Sequence, residues 1–169
     1  MLQLSGELKT RTADGGRGKG APDAERLFEG AGPLVERLRA EGPFASGRAM
    51  LARAREIVFA LSEAEQIAVI NAHPRIGERP DRVRAQSVLS FGEQGYDDDD
   101  TAPDALLRLA HLNEEYEQKF GFRFVVFVNR RPKAALVPVL EARLRGSRSE
   151  ERNTALEEIL AIAVDRLKD

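Results

Sequence analysis

Apolar residues recur at helical spacing along nearly the whole chain from Pro22 onward. Pro33 suits a first helical position, and Leu34, Val35 and Leu38 follow it on one face. Ser46 is placed to cap a segment whose apolar residues are Met50, Leu51, Ala54, Ile57, Val58 and Leu61. Ser62-Glu-Ala-Glu65 has the form of a capping box and predicts a helix through Ile67, Ile70 and Asn71. Pro74 and Gly77 then break the chain, which puts His73 at or just past a helix C-terminus. There the helix dipole favours a protonated imidazole. The next helix begins at Thr101 or Pro103 and stops before Gly121, with Leu106, Leu109, Ala110, Leu112, Tyr116 and Phe120 on one face. Asn113 falls inside that face, so its amide either cross-links helices or points into a site. Further helices are predicted from Pro132 to Arg145, bent at Pro138, and from about Arg148 to Lys168.

Two places break the amphipathic pattern. Phe122 to Val128 reads Phe-Arg-Phe-Val-Val-Phe-Val, an extended segment with no second strand to pair with. Its backbone amides must find partners in a ligand, in side chains or in water. In the last helix Leu156, Ile159, Leu160, Ile162, Ala163 and Leu167 define the apolar arc, and Arg166 projects within it. A guanidinium there either snorkels from the helix end or clamps an anion or carbonyl.

Composition narrows the functions open to such a chain. Its 169 residues are 42% hydrophobic and 32% charged, as expected of one globular domain. Residues 22–169 read as that domain and residues 1–21 as a loosely held tail. The formal charge of −2 offers no footprint for nucleic acid. No apolar run approaches the roughly 18 residues of a membrane span, and the N-terminus lacks the pattern of a secretory signal. Without cysteine there is no thiol chemistry, and a cytoplasmic location is the expectation. His73 and His111 have no neighbours at ligand spacing, so no metal site is expected. Asp14-Gly-Gly-Arg-Gly-Lys-Gly20 follows no apolar strand and lacks the phosphate-loop order, and it reads as linker. The Tyr96-Asp-Asp-Asp-Asp100 run reads as a solvated loop.

The remaining candidate chemistry lies between Ala72 and Gln94. A titratable imidazole, His73, sits on a proline-stiffened turn with Pro74, and Glu93 and Gln94 follow twenty residues later. These residues belong to a longer series: Ala72-His-Pro-Arg-Ile-Gly77, Ser90-x-x-Glu93-Gln94, Leu112-Asn113-x-x-Tyr116, Lys119-Phe-Gly-Phe-x-Phe124 and Arg166-Leu167. In that order they resemble the 2-oxo-4-hydroxy-4-carboxy-5-ureidoimidazoline (OHCU) decarboxylases of ureide metabolism. The chain departs from the family's usual pattern at Arg75-Ile76, at Asn129, in the Asp97–Asp100 insert and in having no tryptophan.

The resemblance implies an all-α single domain, a homodimer, no metal or organic cofactor, and a small ureidoimidazoline as substrate. It implies His73 as catalytic acid, Glu93 as the group orienting the imidazole or a substrate hydroxyl, and Arg166 holding substrate oxygens. Pro74, Ser90 and Gln94 become substrate contacts. So do the backbone amides of Val125, Val126, Phe127, Val128 and Asn129, which would give the lone extended segment its partners. Two other readings stand beside this one: an enzyme for a different ureido or imidazolone acid, and a non-catalytic helical dimerisation or binding module. Catalysis requires His73, Glu93 and Arg166 to converge on one concave pocket, whereas a module leaves them scattered or packed shut.

Overall fold

The computed structural model describes residues 23–95 and 103–168. The tail at 1–21, with its glycine-rich stretch, and the acidic run at Tyr96–Asp100 lie outside those residues. Among the described residues the fold is all-α, with nine helices and no strand. They are α1 (Ala24–Leu27), α2 (Gly32–Glu41), α3 (Gly47–Ala60), α4 (Glu63–Asn71), α5 (Pro80–Gln86), α6 (Val88–Glu93), α7 (Pro103–Phe120), α8 (Lys133–Arg143) and α9 (Arg148–Arg166). None of them is long and apolar enough to cross a membrane.

The caps fall where the residue types place them. The Ser46 hydroxyl accepts from the Ala49 amide at 3.1 Å to start α3. At α4 the Glu65 carboxylate accepts from the Ser62 amide at 2.9 Å, and the Ser62 hydroxyl accepts from the Glu65 amide at 3.3 Å. Each such cap contributes about 1 kcal/mol. Ser147 and Glu150 form a second capping box at α9. Gly121 ends α7 in the left-handed conformation, φ 81°, that a side chain would resist. Helix α8 is shorter than the spacing predicts, because Arg145 and Pro132 lie outside it. Helices α5 and α6 have no apolar stripe to announce them. Pro80 opens α5, and Ser87 caps α6 through a 2.9 Å bond from the Ser90 amide.

Helix α9 packs against α1, α3, α4 and α7, so its apolar arc is the spine of the core. Asn113 resolves as a cross-link: its Nδ2 donates to the Ile76 carbonyl at 2.8 Å, tying α7 to the turn after α4. The extended segment packs against Tyr116 of α7. Phe122 and Phe124 turn inward, with ring centroids 6.1 and 5.4 Å from that of Tyr116, while the intervening Arg123 turns outward to the end of α4. That alternation is the period of two expected of extended chain.

A buried polar network braces this segment from behind. The Tyr116 hydroxyl donates to Glu151 at 2.7 Å, and Arg143 Nε donates to the same carboxylate at 2.7 Å. Arg143 Nη1 then donates to the Val125 carbonyl at 2.7 Å, and its guanidinium lies 4.7 Å from the Phe124 ring centroid. Removing the anion strands a cation whose side chain is only 11% exposed. Glu151→Leu should therefore lower the free energy of unfolding by about 3–5 kcal/mol in urea titrations. Glu157→Leu, which breaks only the exposed pair with Arg55, should leave stability nearly unchanged. Equal effects from the two variants would mean that the buried network carries no special weight.

Candidate active site

His73 ends the turn that leaves α4, and its own backbone groups are both held. Its amide donates to the Ile70 carbonyl at 3.2 Å, and its carbonyl accepts from Arg123 Nη1 at 2.9 Å. The following turn is gripped by Gln94, which donates to the Arg75 carbonyl and accepts from the Gly77 amide, both at 3.2 Å. Arg75 is locked to Glu117 by two bonds of 2.7 and 2.6 Å. The imidazole is itself buried, 6% exposed, and its Nδ1 has no hydrogen-bond partner. Burial first, and the Arg166 guanidinium second, pull its pKa from an ordinary 6.5 down to about 4, while the nearby Val69 carbonyl opposes them weakly. The helix-end position predicted the protonated form. Desolvation of a nearly sealed ring overrides the dipole, so the imidazole is neutral at pH 7.

Glu93 closes α6, and its carboxylate takes two bonds from Arg166: Nε to Oε1 at 2.6 Å and Nη2 to Oε2 at 2.9 Å. The pair is asymmetric. The Arg166 side chain is 5% exposed and that of Glu93 31%, so the arginine stands behind and the carboxylate faces outward. Arg166 also donates to the Leu27 carbonyl at 3.2 Å and reaches the Ser90 hydroxyl at 3.5 Å. It does not snorkel; it clamps a carboxylate and a carbonyl inside the fold.

His73, Pro74, Ser90, Glu93 and Gln94 line one cavity of about 450 Å³ with the extended segment from Phe124 through Asn129 as the facing wall. Of the five amides expected to meet a ligand, that of Phe127 donates instead to Glu158 at 2.7 Å. Those of Val125, Val126, Val128 and Asn129 have no partner among the described residues. The segment's carbonyls are satisfied by side chains, Val125 by Arg143 and both Phe127 and Val128 by Arg131. Asn129 and Arg130 then turn the chain with positive φ, 47° and 57°, in a turn closed by the Arg131 amide on the Val128 carbonyl at 3.0 Å.

Of the three residues expected to carry chemistry, His73 and Glu93 thus meet on the cavity wall. Arg166 supports Glu93 from the far side. Gln94 lines the cavity, but both ends of its amide already hold the His73 turn. The reading from sequence missed the rim formed by Arg130, Arg131 and Asp165. It also missed Lys133, whose buried ammonium donates to the Gln94 carbonyl at 2.8 Å. A cation at the first position of α8, in a stretch of alanine and leucine, was the available signal for the latter. His111 lies exposed on α7, outside the cavity.

The family model for OHCU decarboxylase matches residues 23–168. The chain is 31% identical over 143 residues to the 2-oxo-4-hydroxy-4-carboxy-5-ureidoimidazoline decarboxylase of Haloferax volcanii, covering 85% of this chain and 83% of that one. It is 29% identical over 143 residues to the uric acid degradation bifunctional protein of Bacillus sp. (strain TB-90), covering 85% of this chain but only 28% of that longer protein. Its fold is similar to the crystal structure of an OHCU decarboxylase in the presence of (S)-allantoin, with a TM-score of 0.68 at 24% identity over 87% of this chain and 96% of that one.

Neutral His73 makes stability depend on pH in a definite direction. Below pH 6.5 the unfolded chain takes up a proton that the folded imidazole refuses until about pH 4. Stability therefore falls on acidification through that window, by up to about 3 kcal/mol from this residue. Urea unfolding at pH 7, 5.5 and 4.5 should show a steeper loss for the wild type than for His73→Gln. Parallel curves would place the imidazole in water.

Proposed function

The chain belongs to the OHCU decarboxylase family, and on that premise we propose that it converts OHCU to (S)-allantoin and carbon dioxide. The observation that carries the reading is the meeting of His73 and Glu93 in one cavity, opposite a wall of unpartnered backbone amides. In the substrate, the carboxylate sits on a carbon adjacent to an imine. As the C–CO2 bond breaks, its electron pair forms a carbon–carbon double bond and the imine nitrogen takes the charge. That built-in electron sink makes the reaction independent of a metal or organic cofactor. The hydroxylated carbon then becomes a carbonyl, and a proton added to one face of the neighbouring carbon gives a single enantiomer. Loss of CO2 from a carboxylate consumes one proton overall.

His73 supplies that proton in this reading. Burial and Arg166 keep its imidazole neutral, and the substrate carboxylate brings the counter-charge that burial denies it, so proton and substrate bind together. Once the carboxylate leaves as neutral CO2, the imidazolium is again a strong acid beside a carbon that needs a proton. General acid–base assistance of this kind contributes about 10²–10⁴ in rate. Glu93, fixed by Arg166, accepts from a substrate hydroxyl or N–H on the oxygen lone pairs that the guanidinium leaves open. Arg166 keeps that carboxylate oriented through its two bonds. Ser90, Gln94 and Pro74 complete the same wall. The amides of Val125, Val126, Val128 and Asn129 receive ureido or ring carbonyls, and the Phe127 amide keeps its carboxylate on α9. We take residues 22–169 to be the catalytic domain, acting as a homodimer, as the family resemblance implies, and in the cytoplasm, the expectation from composition.

OHCU formed in situ from urate by urate oxidase and the following hydrolase decays slowly to racemic allantoin. Adding this protein should speed allantoin appearance and give optical rotation. His73→Gln should lower the rate by about 10²–10⁴, and Glu93→Gln should lower it while leaving the helical circular dichroism intact. Racemic product at the background rate with folded wild-type protein would defeat the decarboxylase reading.

A further inference from the structure

The last carbonyls of a helix have no partner within it. At α4 that end carries His73, and two side chains from other elements seal it. Arg123 Nη1 donates to the Asn71 carbonyl at 3.1 Å, to the His73 carbonyl at 2.9 Å and to Gln86 Oε1 at 3.3 Å. Gln86 Nε2 donates in turn to the Ala72 carbonyl at 2.9 Å. The Arg123 amide completes the joint by donating to Asn71 Oδ1 at 2.9 Å.

Each partner belongs to a different element of the chain, and of the three only His73 lines the cavity. Arg123 sits in the extended segment, one residue before Phe124; Gln86 ends α5, next to the helix that bears Ser90 and Glu93; His73 follows α4. Phe122 and Phe124 are anchored in the core on either side of Arg123, so its backbone is a fixed point. The α5–α6 pair has little apolar anchoring, since α5 buries only Val83 and α6 only Ser90, and it is α6 rather than α5 that Arg166 holds through Glu93.

We propose that Arg123 is a positioning residue for His73, the single guanidinium through which the imidazole turn, the extended segment and α5 are held in register. It touches no substrate and acts only through the His73 backbone. The proposal rests on the decarboxylase reading for its effect on turnover, but its effect on the imidazole does not. With the carbonyls of Asn71 and His73 released, the turn relaxes, water reaches the ring, and the burial that suppresses its protonation weakens. Charge is not the cause, because the guanidinium whose charge bears on the imidazole is that of Arg166 and not that of Arg123.

The test follows both properties in Arg123→Met, Arg123→Lys and Gln86→Leu. The chain has only two histidines, so NMR titration with a His111→Gln control reads the His73 imidazole directly. Arg123→Met should raise the His73 pKa from about 4 toward 6.5. It should also lower turnover by about tenfold or more, with KM changed much less, and reduce the optical purity of the allantoin. Arg123→Lys should recover most of each property, and Gln86→Leu should show a smaller shift in the same direction. If Arg123→Met does not fold, Arg123→Lys and Gln86→Leu decide the matter, because Gln86 is exposed and removes only one arm of the joint. A folded variant set in which His73 titrates as in the wild type and the product keeps its optical purity overturns the proposal. Loss of activity in the wild type itself, with the pKa shift present, would defeat the functional reading and leave the positioning role standing.

Discussion

The pairing of Arg166 with Glu93 is the constraint on which the site depends. A guanidinium inside the apolar arc of α9 is tolerable only with an anion and further acceptors, because the cost of removing it from water is several kcal/mol. Glu93, Ser90 and the Leu27 carbonyl provide them, and in doing so they fasten α6 and α1 to the spine of the core. Helix α6 has only six residues and would not be stable alone. Its position is therefore set largely by this ion pair, which serves the fold and the site at once. With one face of the carboxylate neutralised from behind, the other meets the cavity without the freedom to rotate away.

The extended segment solves the opposite problem. It is backbone without a ladder, and every carbonyl or amide buried in it needs a partner from outside. Long side chains supply some of these: Arg143 and Arg131 to three carbonyls, Glu158 to one amide. Spacing matters here, since side chains reach the chain from α8, α9 and the following turn but leave four amides open toward the cavity wall. A regular sheet would have consumed those amides. Segment and cavity thus share one cause, a hydrophobic run that packs its aromatics on α7 while the rest of its backbone stays available.

Much of this was legible in the residues. The caps at Ser46 and Ser62, the apolar face of α7, the buried Asn113 and the ladderless Phe122–Val128 segment all follow from local rules of spacing and propensity. Arg166 was legible as a cation in the wrong place, which is a stronger signal than any apolar residue there. The missing pieces share a reason. Helices α5 and α6 are held by tertiary partners rather than by an amphipathic stripe, so no periodicity marks them. Arg123, Arg143 and Lys133 act on backbone carbonyls distant in sequence, and a cation in a sequence does not say which carbonyl it will find. The charge state of His73 failed for a related reason. Position on a helix is local information, whereas desolvation depends on everything that packs around the ring.

That last point bears on how such a cavity discriminates among ligands. A neutral, poorly hydrated imidazole beside a carboxylate already committed to Arg166 presents no free positive charge at the reacting position. A neutral ligand gains little from it, and a carboxylate gains only if it arrives with a proton for the imidazole. On the proposed reading, binding is thereby coupled to protonation, and the proton is delivered to the place where loss of CO2 creates demand for one. On that reading, the depressed pKa that burial and Arg166 impose is offset when the anion binds, and it becomes acid strength again when the anion leaves. A cavity with an ordinary, solvated histidine would bind the same carboxylate but would hold its proton no differently before and after decarboxylation. On that reading, the sealed geometry of the His73 turn is part of the chemistry and not only its support.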